Sequence, residues 1–307
     1  MRSVRIADAI ACAFVAGVLG ATRIVAQAPP STDIYLAPIT LTDRDSNRIA
    51  IGTPIDITHR PGYDNQPAFM ADERAVFYTS TREDGQADIY RYDIASRRTT
   101  RVTATPESEY SPTFMPGTNR FSAIRVERDS TQRLWSFAMD GSDPRLVLRT
   151  IKPVGYHAWL DPSHVALFVL GAPATLQVAE LGSERVDTIA RGIGRSLSVV
   201  APGRVSFVTR AANGFILNTL ALDRVTGKPD VRVGLAAIEP GGEYVIWTPR
   251  GDALTASGSK LYMLRAGPAD SHWAEVADLA AEGITHISRL AISPNGHWLA
   301  MVADDDR

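Results

Sequence analysis

Six times along the chain one pattern recurs: a short strand-like run, often with a central aromatic, then a turn of Pro, Asp, Asn or Gly, then a second apolar run. The copies read PAFMADERAVFYT, PTFMPGTNRFSAI, HAWLDPSHVALFV, SLSVVAPGRVSFV, VIWTPRGDALTAS and LAISPNGHWLAMV. Their central residues are Phe69, Phe114, Trp159, Ser198, Trp247 and Ile292, spaced 45, 45, 39, 49 and 45 apart. A sustained period of this length constrains the fold strongly, because each repeat must be one supersecondary unit that buries its apolar surface against the next.

Two more short runs follow each pair. In the first unit they are ADIYRYDI (Ala87 to Ile94) and TTRVT (Thr99 to Thr103); counterparts such as RLWSFAM with RLVLR and KLYMLRA with HWAEVA follow in later units. No window stands out as a helix, and EVADLAAEGI (Glu275 to Ile284) reads as a strand and a loop. Four strands per repeat of about 45 residues is the arithmetic of a propeller blade. The chain is therefore expected to be all-β, a six-bladed β-propeller of four-stranded antiparallel blades. The last unit has only two runs, Leu290 to Ile292 and Trp298 to Val302. DIYLAPITL (Asp33 to Leu41) and RIAIGTPIDIT (Arg48 to Thr58) fit its third and fourth strands, so N-terminal outer strands would pair with C-terminal inner ones and leave no open edge. Asp304 to Asp306 would then be a loop on the binding face.

The repeat unit FMADERAVFYTSTREDGQADIYRYDIASRRTTRVT resembles the WD-like propeller repeat of the TolB type through Phe69, Asp72, Phe77, Thr79, Arg82, Gly85, Ile89, Tyr90 and Asp93. AISPNGHWLAMVADDD carries the Ser-Pro-Asn-Gly portion in Ser293 to Gly296. The resemblance covers about residues 34–307, strongly in the first and last units and weakly between, where Ser198 stands in place of the aromatic. It implies a TolB-like propeller without the helical N-terminal domain of TolB itself, since few residues precede the first strand.

The first 26 residues differ from the rest. Arg2 and Arg5 precede the apolar run Ile10 to Ala21, and small residues surround Ala26, as in a secretory signal peptide. Residues 1–26 are thus read as the signal, 27–32 as a linker and 33–307 as the propeller, with a periplasmic or secreted location and no integral span after cleavage. An uncleaved anchor and lipidation at Cys12 are the alternatives. Cys12 is the only cysteine, so the mature chain would have no disulfide and no thiolate chemistry. The 32 basic and 34 acidic residues leave no electrostatic footprint for nucleic acid.

Motifs for catalysis are missing: there is no Gly-x-Ser-x-Gly elbow, no His-Glu-x-x-His, and GIGRSL (Gly192 to Leu197) lacks the last glycine of a phosphate loop. His59, His157, His164, His272, His286 and His297 show no metal-ligand spacing in sequence. TDRDSNR (Thr42 to Arg48) alternates Asp43, Asp45 and Asn47 but lacks the glycine and glutamate of a cation loop, and reads as a solvated turn. No catalytic residue, metal ligand or cofactor is assigned.

Position is more informative than motif. Three residues before each central position stand Gln66, Ser111, Tyr156, Arg195, Tyr244 and Arg289, with Tyr63, Asp64, Glu109, Tyr110 and His157 beside them. In a propeller, loops entering the innermost strands surround one mouth of the channel, and Tyr and Arg are favoured where binding is tight. These residues are the expected binding site; hydration of a structural channel is the competing role. The expected function is a noncatalytic, monomeric scaffold for a protein, peptide or glycan in the envelope. The alternative is a lactonase-like hydrolase or lyase whose channel metal is held by His and acidic residues from several blades.

Overall fold

The protein was analysed as a computed structural model, which describes residues 30–41, 49–223, 226–265 and 272–304. The N-terminal strand β1 (Thr32–Leu41) is followed by the short β2 (Ile49–Ile51) and β3 (Ile55–Asp56). Five four-stranded blades come next. They are β4 (Asp64–Phe69) to β7 (Arg98–Arg101) through β5 (Ala75–Thr81) and β6 (Ala87–Asp93); β8 (Ser108–Phe114), β9 (Arg120–Val126), β10 (Gln132–Ala138) and β11 (Arg145–Leu146); and β12 (Val154–Trp159), β13 (His164–Val169), β14 (Thr175–Glu180) and β15 (Val186–Arg191). The fourth is β16 (Ile193–Ala201), β17 (Arg204–Ala211), β18 (Gly214–Leu222) and β19 (Pro229–Ala237), and the fifth β20 (Val245–Trp247), β21 (Ala253–Ser257), β22 (Lys260–Leu264) and β23 (Ala274–Asp278). A 3₁₀ turn (Ala280–Glu282) leads to β24 (Arg289–Ile292) and β25 (Trp298–Asp304). Every pairing within a blade is antiparallel, and in these five it runs in chain order; with a sixth blade closing the ring, the fold is the six-bladed all-β propeller the repeat predicts.

The sixth blade is composite. β24 pairs with β25, and β25 pairs with β1 from Thr32↔Asp304 to Pro38↔Trp298. The clasp expected from the repeat is present, with one difference. Its fourth strand is broken: β2 pairs with Ile39 to Leu41 of β1, and β3 with Tyr35 and Leu36. Between them, Gly52 donates its N–H to the Pro38 carbonyl, while Pro54 has no N–H to offer a ladder. The acidic and turn readings at Thr42 to Arg48, the end of the Asp304 to Asp306 cluster and the N-terminal leader lie outside the described residues.

Core and sequence agree strand by strand. The second strand of a blade is covered on both faces by its neighbours, so it reads as an unbroken run: Ala75, Val76, Phe77, Tyr78, Thr79 and Ser80 are all buried. The outermost strand is an edge. β7 is RTTR and exposed throughout, and charge on such an edge discourages pairing with another chain. Apolar side chains gather in slabs between blades. Phe77 and Phe121, with ring centroids 5.4 Å apart, join the first and second; Leu290, Leu299 and Met301 pack on Leu254 and Met263 of the fifth; Ile34, Leu36 and Val302 pack on Val76 and Tyr78 of the first.

Candidate functional site

The innermost strands do not start regularly. Gln66 and Ser111, 45 residues apart, both sit in the left-handed region at φ 59° and 55°. Pairing with the second strand slips at Asn65/Ala68, Tyr110/Thr113, Val154/Tyr156 and Ile193/Leu197. A bulge turns side chains away from the direction the pleat would give. Here it recurs at equivalent positions of the first four blades and shapes one end of the channel.

At that end the structure places Tyr156, Arg195, Tyr244 and Arg289, contributed by four different blades. The Arg289 guanidinium donates to the Tyr244 hydroxyl at 2.7 Å and the Tyr156 hydroxyl at 3.4 Å, and lies 3.8 Å from the centre of the Tyr244 ring. Arg195 donates through Nε and Nη2 to Glu243 Oε2 at 3.1 and 2.7 Å, while its backbone N–H reaches Oε1 at 2.6 Å. One guanidinium is thus neutralised. The other is not: among the described residues no carboxylate lies within ion-pair distance of Arg289. Burial pushes the Tyr63 and Tyr244 phenols well above the ordinary tyrosine value. For Tyr156, burial is outweighed by Arg289, the Tyr244 hydrogen bond and Arg195, which draw it down. Burial also acts against the charge on Arg289, yet the phenol oxygens of Tyr244, Tyr156 and Tyr63 outweigh it, so this cation stays charged.

Behind this end runs a cavity of about 360 Å³ along the axis. Leu197, Ile246 and Ala291, two residues beyond Arg195, Tyr244 and Arg289 in the chain, line its wall. Phe114 and Trp247 line the deeper part. The channel is cationic at one end and largely apolar along its wall.

The expected site residues divide. Gln66, Ser111, Tyr156, His157, Arg195, Tyr244 and Arg289 line this cavity. Gln66 and Ser111 are tied to each other between blades, Gln66 Oε1 accepting from Thr79 Oγ1 at 2.7 Å and from the Ser111 N–H at 2.8 Å, whereas the Ser111 hydroxyl is buried without a partner. Tyr63 is buried, and its phenol interacts electrostatically with Arg289, Tyr156, Tyr110 and Arg195. Tyr110 is half-buried against the slab between the second and third blades. Asp64 and Glu109 do not line the cavity. Both are fully buried, Asp64 with Arg60 at 3.1 Å and Glu109 with Arg125 at 2.9 Å, and burial raises both carboxyls. Glu243 was not anticipated, although it stands directly before Tyr244 in GGEYVIW and holds Arg195.

His157 is fixed from behind. Ser122 Oγ lies 2.7 Å from His157 Nε2, receives the Trp159 Nε1–H at 2.9 Å and donates to the Thr113 carbonyl at 3.1 Å. With the serine proton committed to Thr113, its two lone pairs accept from Trp159 and from an Nε2–H of the histidine, which assigns that tautomer. Nδ1 is buried without a partner. Burial lowers the ring to about 3, so it is neutral in the native protein. Trp247 Nε1 of the fifth blade donates to Ser206 of the fourth at 2.8 Å, the same bond between neighbouring blades in a different repeat. Among the described residues no three His, Cys, Asp or Glu side chains come together as a metal site.

Fold and channel define the class: a six-bladed propeller with a polar constellation at one end of its axis. No family model matches the sequence. Solved structures do match. A putative TolB from Agrobacterium tumefaciens aligns at TM-score 0.64 and 11% identity over 91% of this chain and 100% of that one. A gluconolactonase from Xanthomonas campestris aligns at 0.60 and 11%, over 92% and 99%. TolB from Acinetobacter baumannii aligns at 0.50 and 16%, over 67% of this chain and 52% of that one, so the chain spans about half of its length. The fold is that of TolB-like propellers, in line with the resemblance carried by the repeat. Likeness at these identities extends to a lactonase as well, and so concerns the fold rather than the activity. Among the described residues no helix is long and apolar enough to cross a membrane.

Proposed function

We propose that the protein is an exported, noncatalytic propeller scaffold that binds a protein, peptide or glycan partner of the cell envelope at the Arg195 and Arg289 end of its channel. One observation carries the reading: four blades each send an Arg or Tyr to a single half-buried point, and Arg289 reaches it without a carboxylate of its own. Charge held at that depth favours an anionic group of a partner, and the converging Arg and Tyr side chains are what such a group would meet. The basic and apolar N-terminal segment supports export.

The lactonase-like alternative has the gluconolactonase fold likeness in its favour. It expects acidic and histidine ligands converging in the channel, whereas His157 is held by Ser122 and the carboxylates Asp64 and Glu109 are spent on arginines.

A photo-crosslinking residue at Ser288, exposed beside Arg289, should capture a partner in cells. The same residue at Ala71, exposed in the turn at the opposite end of the first blade, should not. Capture from Ala71 alone, or from neither position, would overturn the reading.

A further inference from the structure

The channel's chemistry narrows what it takes. Arg195 is already bonded to Glu243 through two guanidinium nitrogens, so the charge left over is that of Arg289. Arg289 spends only Nη2 on phenol oxygens among the described residues, which leaves the rest of its planar fork for an acceptor. A guanidinium fork matches a carboxylate with two parallel N–H···O bonds. The Tyr156 and Tyr244 hydroxyls stand beside it and share one hydrogen bond, which leaves one of their two protons as a further donor. Just inside, Leu197, Ile246 and Ala291 offer no polar group, and Trp247 with Phe114 continues the apolar wall. The wall has polar exceptions: Thr113 Oγ1 is spent on the Ser111 carbonyl and Ser196 Oγ on the Val245 N–H, which leaves Ser198 beside Leu197 and, on the second and third blades, the Ser111 hydroxyl and His157 Nδ1. A sugar acid would leave its ring hydroxyls unanswered against Leu197 and Ile246, a cost in each hydroxyl buried without a partner. An apolar body would gain from the same wall.

We propose that the channel binds a carboxylate borne on an apolar body, the carboxylate on Arg289 between Tyr156 and Tyr244 and the body along Leu197, Ile246 and Trp247. This rests on the scaffold reading and specifies the group recognised. At about 360 Å³ the cavity has room for a chain end or a small acid rather than a folded surface. Two sources share that chemistry: the C-terminal carboxylate of a peptide ending in apolar residues, and a free aliphatic acid.

Titration calorimetry on the intact protein tests it with four probes: acetyl-Leu-Phe as the free acid, the same dipeptide as its amide, octanoate, and glucuronate. The free-acid peptide or octanoate should bind, the first marking a chain terminus as the source and the second a free acid. The amide and glucuronate should bind at least about tenfold more weakly. Arg289→Gln should remove the advantage of acid over amide, and Arg289→Lys should keep part of it. Because the acid and amide are compared on unaltered protein, a poorly folded Arg289→Gln variant leaves the test intact. Equal affinity for acid and amide, glucuronate binding as well as the apolar acids, or no binding by any probe would overturn the inference. If the Ser288 crosslink persists in those cases, the scaffold reading survives; if it is lost, both fail.

Discussion

At the scale of single residues, the channel end is built from groups whose surroundings fix their charge. His157 shows this most directly. Its Nε2–H bond to Ser122 is satisfied, whereas a proton on Nδ1 would be a buried donor with nothing to receive it. The folded value of about 3 lies below the ordinary 6.5, so between those pH values the unfolded chain takes up a proton that the folded chain refuses. Stability from this residue is therefore full above about pH 6.5 and is lost as pH falls toward 3. Between pH 7 and pH 4 the loss should be on the order of 3 kcal/mol. Urea unfolding of the parent and of His157→Asn at both pH values measures it: the variant is less stable at pH 7, and the gap narrows at pH 4. A gap that stays constant would mean that His157 does not titrate differently on folding.

At the scale of elements, the irregular start of β16 places Arg195, and Gly194 makes that start possible. A Cβ on Gly194 would lie 2.7 Å from Phe215 Cε1, 2.7 Å from Val208 Cγ2 and 3.0 Å from Glu243 Oε1. Val208 is fully buried and cannot move aside. Gly194→Ala should cost about 1–3 kcal/mol through overpacking, and it should push Glu243 off the Arg195 backbone N–H. A lowered urea midpoint is the expected result; an unchanged one would show that the strand relaxes freely. The element scale also shows what could be read from the sequence. The inner and second strands were legible because burial on both faces leaves unbroken apolar runs, and the turns between them because Gly296 and its equivalents need positive φ. Arg195, Tyr156, Tyr244 and Arg289 were legible because the repeat fixes their distance from the central residue. Asp64 and Glu109 were not, since only cross-strand register reveals that Glu109 stands opposite Arg125 and so faces into the sheet. The broken outer strand of the sixth blade escaped for a similar reason: RIAIGTPIDIT carries isoleucines on both sides of the break, and the break lies in where β2 and β3 meet β1.

At the scale of the whole molecule, the ring is held closed by chain ends that are distant in sequence. β25 is the second strand of its blade, and Leu299, Ala300, Met301 and Val302 are fully buried, two facing the fifth blade and two the first. Removing residues 289–307 would strip the apolar cover from both neighbours, leave β1 without the partner it meets from Thr32 to Pro38, and expose two blade faces at once. Each of those side chains would count for about 1–3 kcal/mol of burial, against a total stability for an ordinary domain of about 5–15 kcal/mol. The loss exceeds what the remaining blades can absorb, because each inter-blade slab is shared and a gap in the ring frees the faces of two blades, not one. Truncation should therefore abolish the single cooperative thermal transition and leave β1 amides such as Ile34 and Leu36 exchanging as in the unfolded chain. Adding a peptide of residues 286–307 in trans should restore part of the protection at β1. A truncated protein that melts cooperatively near the parent temperature would show instead that five blades close on themselves, and that the pairing of β1 with β25 is an accessory to the ring.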